Sequence, residues 1–586
     1  MSVMNSCHRA IFTEAFDTAS SLKYPAYSSR ERAVGRTAHP GGRAISMKLR
    51  GWQEEFLPQM LAGLRSGKAV VLSAPTGSGK TLLVLSAALE LGLPVSAFVR
   101  SKSQFQPWLR DAAKIAGDRT VTLLIGQGES CHLGGGMLSS PAPCEACKLN
   151  RPLNADPPRA IDALKPTAFT RSLASDAARA GACSYRTMLS WSTSAWLIVA
   201  SYQYLISPLA RRPIEDRLQR SLVVVDEAHN LDSADEEHSL TRRVLEGARR
   251  EGKSPESRMA VTALLGLIDD AQEWREVEKP LGLTGFVDRI REESSALYVR
   301  MAERERIHDN HLKLLADFLA ALPDARFKLY TGYGGLRLVD PDPASVLSIL
   351  SSPPALILMS ATMPPAQYLQ RVWGVHRDFV YLEARPGWGR RIDVQRPPKG
   401  LTTRYQDRGE HMWDRYADAL IGIWGSSRGS VLAVCPSYSV LRGIAARLQG
   451  IPLLVEDRGT RADAMEEELR RGKRLVLAVA RGKLVEGVEF RDEDGGSLIS
   501  DIALIGVPYR QPDAIEDERA RRISSRAGLD GSDRWLFLQL LPAWQSVAQA
   551  VGRAVRGEGD RAGLWPLDER YADAWWSSRL DSIGVY

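Results

Sequence analysis

Short apolar runs recur along this chain, each followed by a polar loop and then by apolar residues at helical spacing. Lys68-Ala69-Val70-Val71-Leu72, Pro94 to Arg100, Leu123-Leu124-Ile125, Ala195 to Ala200, Leu222-Val223-Val224-Val225 and Ala355 to Met359 are such runs. They are too short for helices and read as buried strands. Leu82 to Leu91 is rich in Leu and Ala and reads as a helix, as do Leu49, Trp52, Phe56, Leu57, Met60 and Leu64. A second series begins near residue 386, with strands predicted at Ser430 to Val434, Leu475 to Val479 and Ile502 to Ile505. The pattern predicts an α/β fold in two blocks.

Two stretches interrupt the first block. Residues 126–184 are loop-rich, with Gly134-Gly135-Gly136 and Pro141, Pro143, Pro157, Pro158 and Pro166. Residues 234–352 are dense in mixed charge, with helical spacing in Val261, Leu264, Leu265, Leu267 and Ile268 and in Leu312 to Leu319; they read as a helical insert. The expected division is therefore 47–125, 185–233 and 353–385 for the first block, 126–184 and 234–352 for its inserts, and 386–586 for the second block. Residues 1–46 lack apolar periodicity. They read as a disordered basic arm or as an extension upstream of a true start at Met47, the second being preferred.

Chemistry enters at the loops. Ser73-Ala74-Pro75-Thr76-Gly77-Ser78-Gly79-Lys80-Thr81 follows the first strand and opens a helix. Gly77 and Gly79 let backbone N–H groups face phosphate oxygens at a helix N-terminus. Lys80 is placed to reach the β- and γ-phosphates, and the Thr81 hydroxyl to ligate Mg²⁺. Ala74 stands where the usual pattern has Gly. Arg50 and Gln53 precede the loop, and a Gln amide is able to read an adenine edge. Asp226-Glu227-Ala228-His229 sits at the tip of the Leu222–Val225 strand. Asp226 is expected in the Mg²⁺ shell, Glu227 as the base that activates water, and His229 near the γ-phosphate. Loop and acidic tip together read as a nucleoside triphosphatase. Near the C-terminus Gln549, Gly552, Arg553 and Arg556 fall on one face of a predicted helix, and two arginines there suit phosphate recognition.

Four of the six cysteines, Cys131, Cys144, Cys147 and Cys183, lie in the first insert. Four thiols in a stretch with little apolar sequence imply a metal centre that staples it. Spacing leaves a zinc site and a [4Fe–4S] cluster both open. The single C-x-x-C knuckle favours the cluster. Cys435 ends an apolar strand and reads as a core thiol.

The net charge is +7. The first 46 residues carry an excess of three positive charges, which leaves about +4 for the rest, too little to establish a polyanion partner. No apolar stretch is long and unbroken enough to span a membrane, and no signal peptide is evident, so a cytoplasmic protein is expected.

The order of motifs resembles a superfamily 2 helicase: phosphate loop, D-E-A-H, Ser360-Ala361-Thr362, and Gln549-x-x-Gly552-Arg553-x-x-Arg556. With the two inserts it is similar to the XPD family of iron–sulphur helicases, closest to the short archaeal form. Lys48 to Gln53, Val99 to Lys102 and Gly506 to Tyr509 extend the likeness. The resemblance implies two RecA-like helicase domains, with an iron–sulphur cluster insert and a helical arch insert in the first. It implies ATP and Mg²⁺, with Gln53, Arg50, Pro75 to Thr81, Asp226 and His229 binding nucleotide. Glu227, Asp226, Lys80, Arg553, Arg556 and Gln549 would carry the reaction. It implies a [4Fe–4S] cluster on the four cysteines and a hole for single-stranded DNA lined by Tyr185. Gln127 replaces the basic residue that some members have near the first cysteine.

A monomeric 5′→3′ DNA helicase on single-stranded and forked DNA is thus expected, nucleoid-associated and with repair-protein partners, acting in nucleotide-excision-like repair. A DinG-like helicase, an ATP-gated damage-sensing clamp and a redox signalling protein are the alternative readings.

Overall fold

The computed structural model describes residues 49–583 apart from 76, 135–146, 164, 385–388, 458, 488–489, 493–494, 556 and 558. Residues 1–46, Thr76, Cys144 and Arg556 therefore lie outside the described residues.

The strands in chain order begin with β1 (Ala69–Ser73), β2 (Val95–Val99), β3 (Val121–Leu124), β4 (Leu197–Ser201) and β5 (Leu222–Asp226). After an insert come β10 (Ala355–Ser360) and β11 (Phe379–Glu383), and the seven form one sheet in the order β11-β1-β10-β5-β2-β4-β3. Every neighbouring pair is parallel. That is why these strands are continuous apolar runs: helices cover both faces of a parallel sheet, so both sets of side chains are buried. One face packs on Met60, Leu83, Val84, Trp108 and Leu109, the other on Met188, Leu205, Leu231, Leu347 and Trp373.

The intervening insert holds β6 (Glu236–Thr241), β7 (Arg275–Val277), β8 (Lys328–Gly332) and β9 (Gly335–Asp340), an antiparallel sheet in the order β6-β9-β8-β7. The expectation of a helical insert is corrected here. Helices Arg242–Glu251, Pro255–Leu267, Val287–Glu303 and His311–Ala321 are present, but they pack on a sheet. β6 hides the strand signal because it is polar: Glu-Glu-His-Ser-Leu-Thr, with only Leu240 buried. The cysteine insert likewise contains a full helix, Pro166–Arg179.

The second sheet uses β12 (Ile392–Val394), β13 (Ser430–Cys435), β14 (Leu453–Val455), β15 (Leu475–Val479), β16 (Ile499–Ile505) and β17 (Ala562–Leu567), in the order β12-β17-β16-β13-β15-β14. It too is parallel throughout.

Register fixes what meets at the top of the first sheet. Ser73 of β1 lies beside Ser360 of β10, and Met359 of β10 beside Asp226 of β5. The loops that leave these three C-terminal ends share one edge, where open α/β sheets bind ligands.

At the opposite edge Arg217 is buried and has no carboxylate partner among its hydrogen bonds. Its guanidinium donates to the carbonyls of Ser192 (2.9 Å), Ala195 (2.8 Å), Val95 (2.9 Å) and Trp196 (3.1 Å), and to Ser96 Oγ (3.0 Å). It closes the chain ends that flank β2 and β4, and burial draws its pKa down to about 10. Arg217→Met leaves those acceptors buried and unpaired, so it should cost about 3 kcal/mol or more. Urea denaturation of the variant against the parent protein checks this; a difference under about 1 kcal/mol would contradict it.

Candidate functional site

The phosphate loop is held from behind by the helix Gly51–Arg65. Arg50 Nη1 donates to Ser78 O (2.9 Å) and Gln53 Nε2 to Gly79 O (2.9 Å), while Gln53 Oε1 accepts from the Arg50 amide (2.8 Å). Gln53 is only 1% exposed. Its Nε2 thus braces the loop, while its Oε1 caps the start of the helix. Gly79 has φ of +96° and a Cβ there would lie 2.7 Å from Gln53 Nε2, so both conformation and space demand glycine.

Lys80 is buried, and its ammonium donates to the carbonyls of Ala74 (2.9 Å) and Pro75 (3.1 Å). The loop's own carbonyls thereby hold the charge over the cleft. Among the described residues Ser78 Oγ is buried with no hydrogen-bond partner, as is Thr362 Oγ1 in the loop after β10. Thr81 begins the helix Lys80–Leu91 and is half-buried.

Opposite stands the acidic tip of β5. Trp108 Nε1 donates to Asp226 Oδ2 (3.1 Å), and the Glu227 amide to Asp226 Oδ1 (2.9 Å). Tyr202 Oη donates to the carbonyls of Asp226 and Glu227. Glu227 takes a left-handed conformation, φ 50°. Ser360 Oγ donates to Glu227 Oε2 (3.2 Å) and lies 2.5 Å from His229 Nδ1. Arg100 Nη1 donates to Asn230 Oδ1 (2.7 Å).

The electrostatics separate the two carboxylates. Burial and the neighbouring Glu227 push Asp226 up to about 7, against the pull of Lys80 and the Trp108 bond. For Glu227 burial also opposes ionisation, but the charges of Lys80, His229 and Arg553 outweigh it and hold the carboxyl below its usual range. Burial, with Arg100, Arg553 and Lys80 nearby, draws His229 down to about 4. The imidazole is therefore neutral at pH 7, and Lys80 and Arg553 carry the effect on Glu227.

Arg553 comes from the second domain. Its charge is felt by both Glu227 and His229, so the second domain borders the site on the first. Gln549 stands near the end of the helix Leu541–Val551, with a buried Oε1 that has no partner among the described residues. Of the helical face expected for Gln549, Gly552, Arg553 and Arg556, the last lies outside the described residues, and the helix does not extend to Arg553. The helix stops at Val551 with Gly552 as its cap, and Arg553 stands in the turn that follows, its amide bonded to Ala550 O (3.1 Å).

In the first insert Cys131, Cys147 and Cys183 are free thiols, each half-buried. Burial raises the Cys131 pKa, and the charges of Cys183 and Cys147 raise it further, so the three are neighbours. Ser184 Oγ donates to Ser130 O (2.7 Å), tying the residues beside Cys183 and Cys131. Among the described residues no group of three or more Cys, His, Asp or Glu lies close enough to hold a metal ion. Three neighbouring thiols with no disulfide nevertheless suit a thiolate-bound centre, and Cys144 would be its fourth ligand. The two inserts touch: the Ile307 amide donates to Leu133 O (3.1 Å), and Tyr298, Met301 and Ile307 pack against Cys131 and Leu133.

A relative from Sulfolobus acidocaldarius, described as ATP-dependent DNA helicase XPD, is 30% identical over 92% of this chain and 99% of its own length. The chain belongs to the XPD helicase family. Two family models agree, DEAD_2 over residues 143–243 and the helicase C-terminal domain over residues 421–583. A solved XPD helicase superposes with a TM-score of 0.78 at 28% identity, covering 92% of this chain and 99% of that one. An apo XPD structure gives 0.67 at 27% identity over 90% and 98%. The two parallel sheets are accordingly the two RecA-like domains of the family. No helix among the described residues is long and apolar enough to cross a membrane.

Sequence reasoning missed Trp108 and Tyr202 as supports of the acidic tip. Trp108 lies on an ordinary amphipathic helix, Phe105–Ala116, and its only signal is a large apolar residue with a donor to place.

The histidine's titration predicts a pH effect. Its folded pKa lies below the unfolded value of about 6.5, so the unfolded chain binds the proton first. Stability from this group is complete above pH 6.5 and is lost as the pH falls toward 4. Nucleotide-free protein should lose about 2–3 kcal/mol from this group between pH 7 and pH 4.5, and His229→Gln should lack that component. Denaturation of both proteins at the two pH values checks it; equal losses in both would contradict the assignment.

Proposed function

We propose that this chain is an ATP-dependent DNA helicase that moves 5′→3′ along single-stranded DNA and opens forked duplex, acting in DNA repair. One observation carries it. Arg553 of the second domain bears on Glu227 and His229 of the first. Nucleotide state is thereby tied to the position of one domain against the other, which is what a motor needs. The family membership supports the reaction class, and the contact between the inserts supports a closed passage for one strand.

In the reaction the amides of Gly77 to Thr81 bind the phosphates. Lys80 exchanges the Ala74 and Pro75 carbonyls for phosphate oxygens. Thr81 and Asp226 would hold Mg²⁺, which would neutralise the phosphates. Glu227 is ionised already and accepts the proton of the attacking water. Ser360 and the neutral His229 fix its orientation. Arg553, with Gln549 and Arg556, meets the charge that develops on the transferred group. Arg50 and Gln53 brace the loop from behind.

Cys131, Cys144, Cys147 and Cys183 would hold a [4Fe–4S] cluster, which would supply a rigid cross-link for the insert. Tyr185, two residues beyond the last cysteine, would line the passage. Such a protein works in the cytoplasm at the nucleoid, as a monomeric motor that repair proteins could recruit.

Lys80→Ala should lower ATP turnover roughly 100-fold or more while the protein still folds; normal turnover would contradict the site. With 5′- and 3′-tailed duplexes as substrates, the 5′-tailed one alone should be opened, and the reverse preference would refute the polarity. Protein purified without oxygen should be brown and hold about four irons per chain. Cys144→Ser should lose the colour and strand opening but keep part of its ATPase. Stoichiometric zinc in the native protein would refute the cluster.

A further inference from the structure

The segment from Arg510 to Val551 belongs in sequence to the second domain, but its two ends lie in different bodies. Its first part is fastened to the first domain. Arg519, Arg522 and Arg526 share one face of the helix Ala514–Ala527 at i, i+3 and i+7. Arg519 pairs with Asp235, just before β6. Arg522 Nη1 lies 3.3 Å from Asp340 Oδ1, at the end of β9. Arg526 grips Asp342 with Nε at 2.7 Å and Nη2 at 3.0 Å, and donates to the carbonyls of Arg371 (3.1 Å) and Val372 (2.8 Å). Arg510 pairs with Asp232, six residues beyond Asp226. In return Arg371 Nη1 donates to Asp533 Oδ2 (2.6 Å). These arginines clasp both strands of the neck through which the 234–352 insert leaves and rejoins the first domain.

The apolar contacts say the same. Ile523, Leu529, Phe537, Leu538 and Leu541 are buried in the core of the first sheet, with Tyr368, Leu369 and Val372. Just beyond, Ala543, Val547, Ala550 and Val551 are buried in the core of the second. The changeover happens inside one rod of helix. Gly531–Trp535 is α-helical, Leu536–Leu540 is a π-turn, and Leu541–Val551 is α-helical again. The Leu541 amide reaches back to Leu536 O, and Pro542 next to it has no N–H to give. A π-turn followed by proline is the weakest point of such a ladder, and π-turns recur where helices bend in function. The far end of the rod carries Gln549, and Arg553 follows.

We propose that Leu536–Leu540 is the hinge on which the second domain closes over bound nucleotide, with residues 510–535 staying fixed to the first domain. The inference rests on the nucleotide-driven reading above. Moving the arm with the second domain would break the charge pairs at the neck, and the buried ones, Arg510–Asp232 and Arg519–Asp235, would leave an unpaired charge behind. Bending the π-turn breaks none of them, and it swings Gln549 and Arg553 together toward Glu227.

Hydrogen exchange by mass spectrometry on the full chain, with and without Mg²⁺ and a non-hydrolysable ATP analogue, tests this. Exchange of the Phe537 to Leu541 amides should change about tenfold on binding, residues 514–530 should not respond, and the loop Gly77 to Thr81 should slow. A response across 514–530 in the parent protein would overturn the fixed arm. A slowed loop with silent 537–541 amides would overturn the hinge and leave the functional reading standing. A loop that does not slow would overturn both. Arg526→Gln, which removes one anchor, should spread the response into 514–530, and Arg526→Lys should largely restore the parent pattern. An unchanged pattern in Arg526→Gln would show that the clasp does not fix the arm.

Discussion

Two carboxylates and an ammonium are withdrawn from water at the top of the first sheet, and the rest of the structure is arranged around the cost of keeping them there. Asp226 resists ionising in that setting; Glu227 ionises only because Lys80 and Arg553 are near. The cleft has no single buried pair to settle the charge. It has a triangle whose balance changes whenever a cation, a phosphate or the second domain arrives. The supports follow from this need. Tyr202 and Ser360 hold Glu227 in a left-handed conformation that a free glutamate avoids, and Trp108 gives Asp226 a neutral donor, which favours the anion without adding charge.

The same logic explains why the domains are not tied by a simple linker. A motor needs one part that moves and another that tells it when. Here the second domain keeps an arm in the first domain's core and a lever in its own. The arm carries much of the ion pairing between them. Ion pairs are sensitive to geometry, whereas the greasy contacts beneath them tolerate small rotations, so the combination resists separation more than it resists bending.

Much of this was legible in the sequence, for a physical reason. Parallel strands with helices on both faces must be apolar on both sides, so β1, β2, β4, β5 and β13 stand out as runs of Val, Ile, Leu and Ala. Loops at their tips carry the chemistry and so keep recognisable spacing. The strands of the 234–352 insert were not legible, because β6 buries a single apolar residue and β7 is three residues long and mostly exposed. That Gln53 also braces the loop was not legible, because its partner Gly79 is a neighbour in space and not in sequence. The end of the helix Leu541–Val551 was hidden for a similar reason: a Gln-Ala-Val-Gly-Arg run has helical spacing whether or not the glycine ends it. The domain boundary inside a helix left no local signal at all, since both halves of the rod are ordinary amphipathic sequence.

The placement of β1 has a consequence for the newborn chain. This strand carries the phosphate loop, yet both of its partners, β10 and β11, follow the cysteine insert, β5 and the whole of the larger insert. At roughly 5–20 residues per second of synthesis, a strand that emerges early waits tens of seconds for its neighbours. Throughout that wait its Val and Leu side chains lie open to other chains on the same messenger. Assembly of this motor therefore leaves an apolar strand exposed throughout that interval, and a ribosome-bound chaperone would find it there.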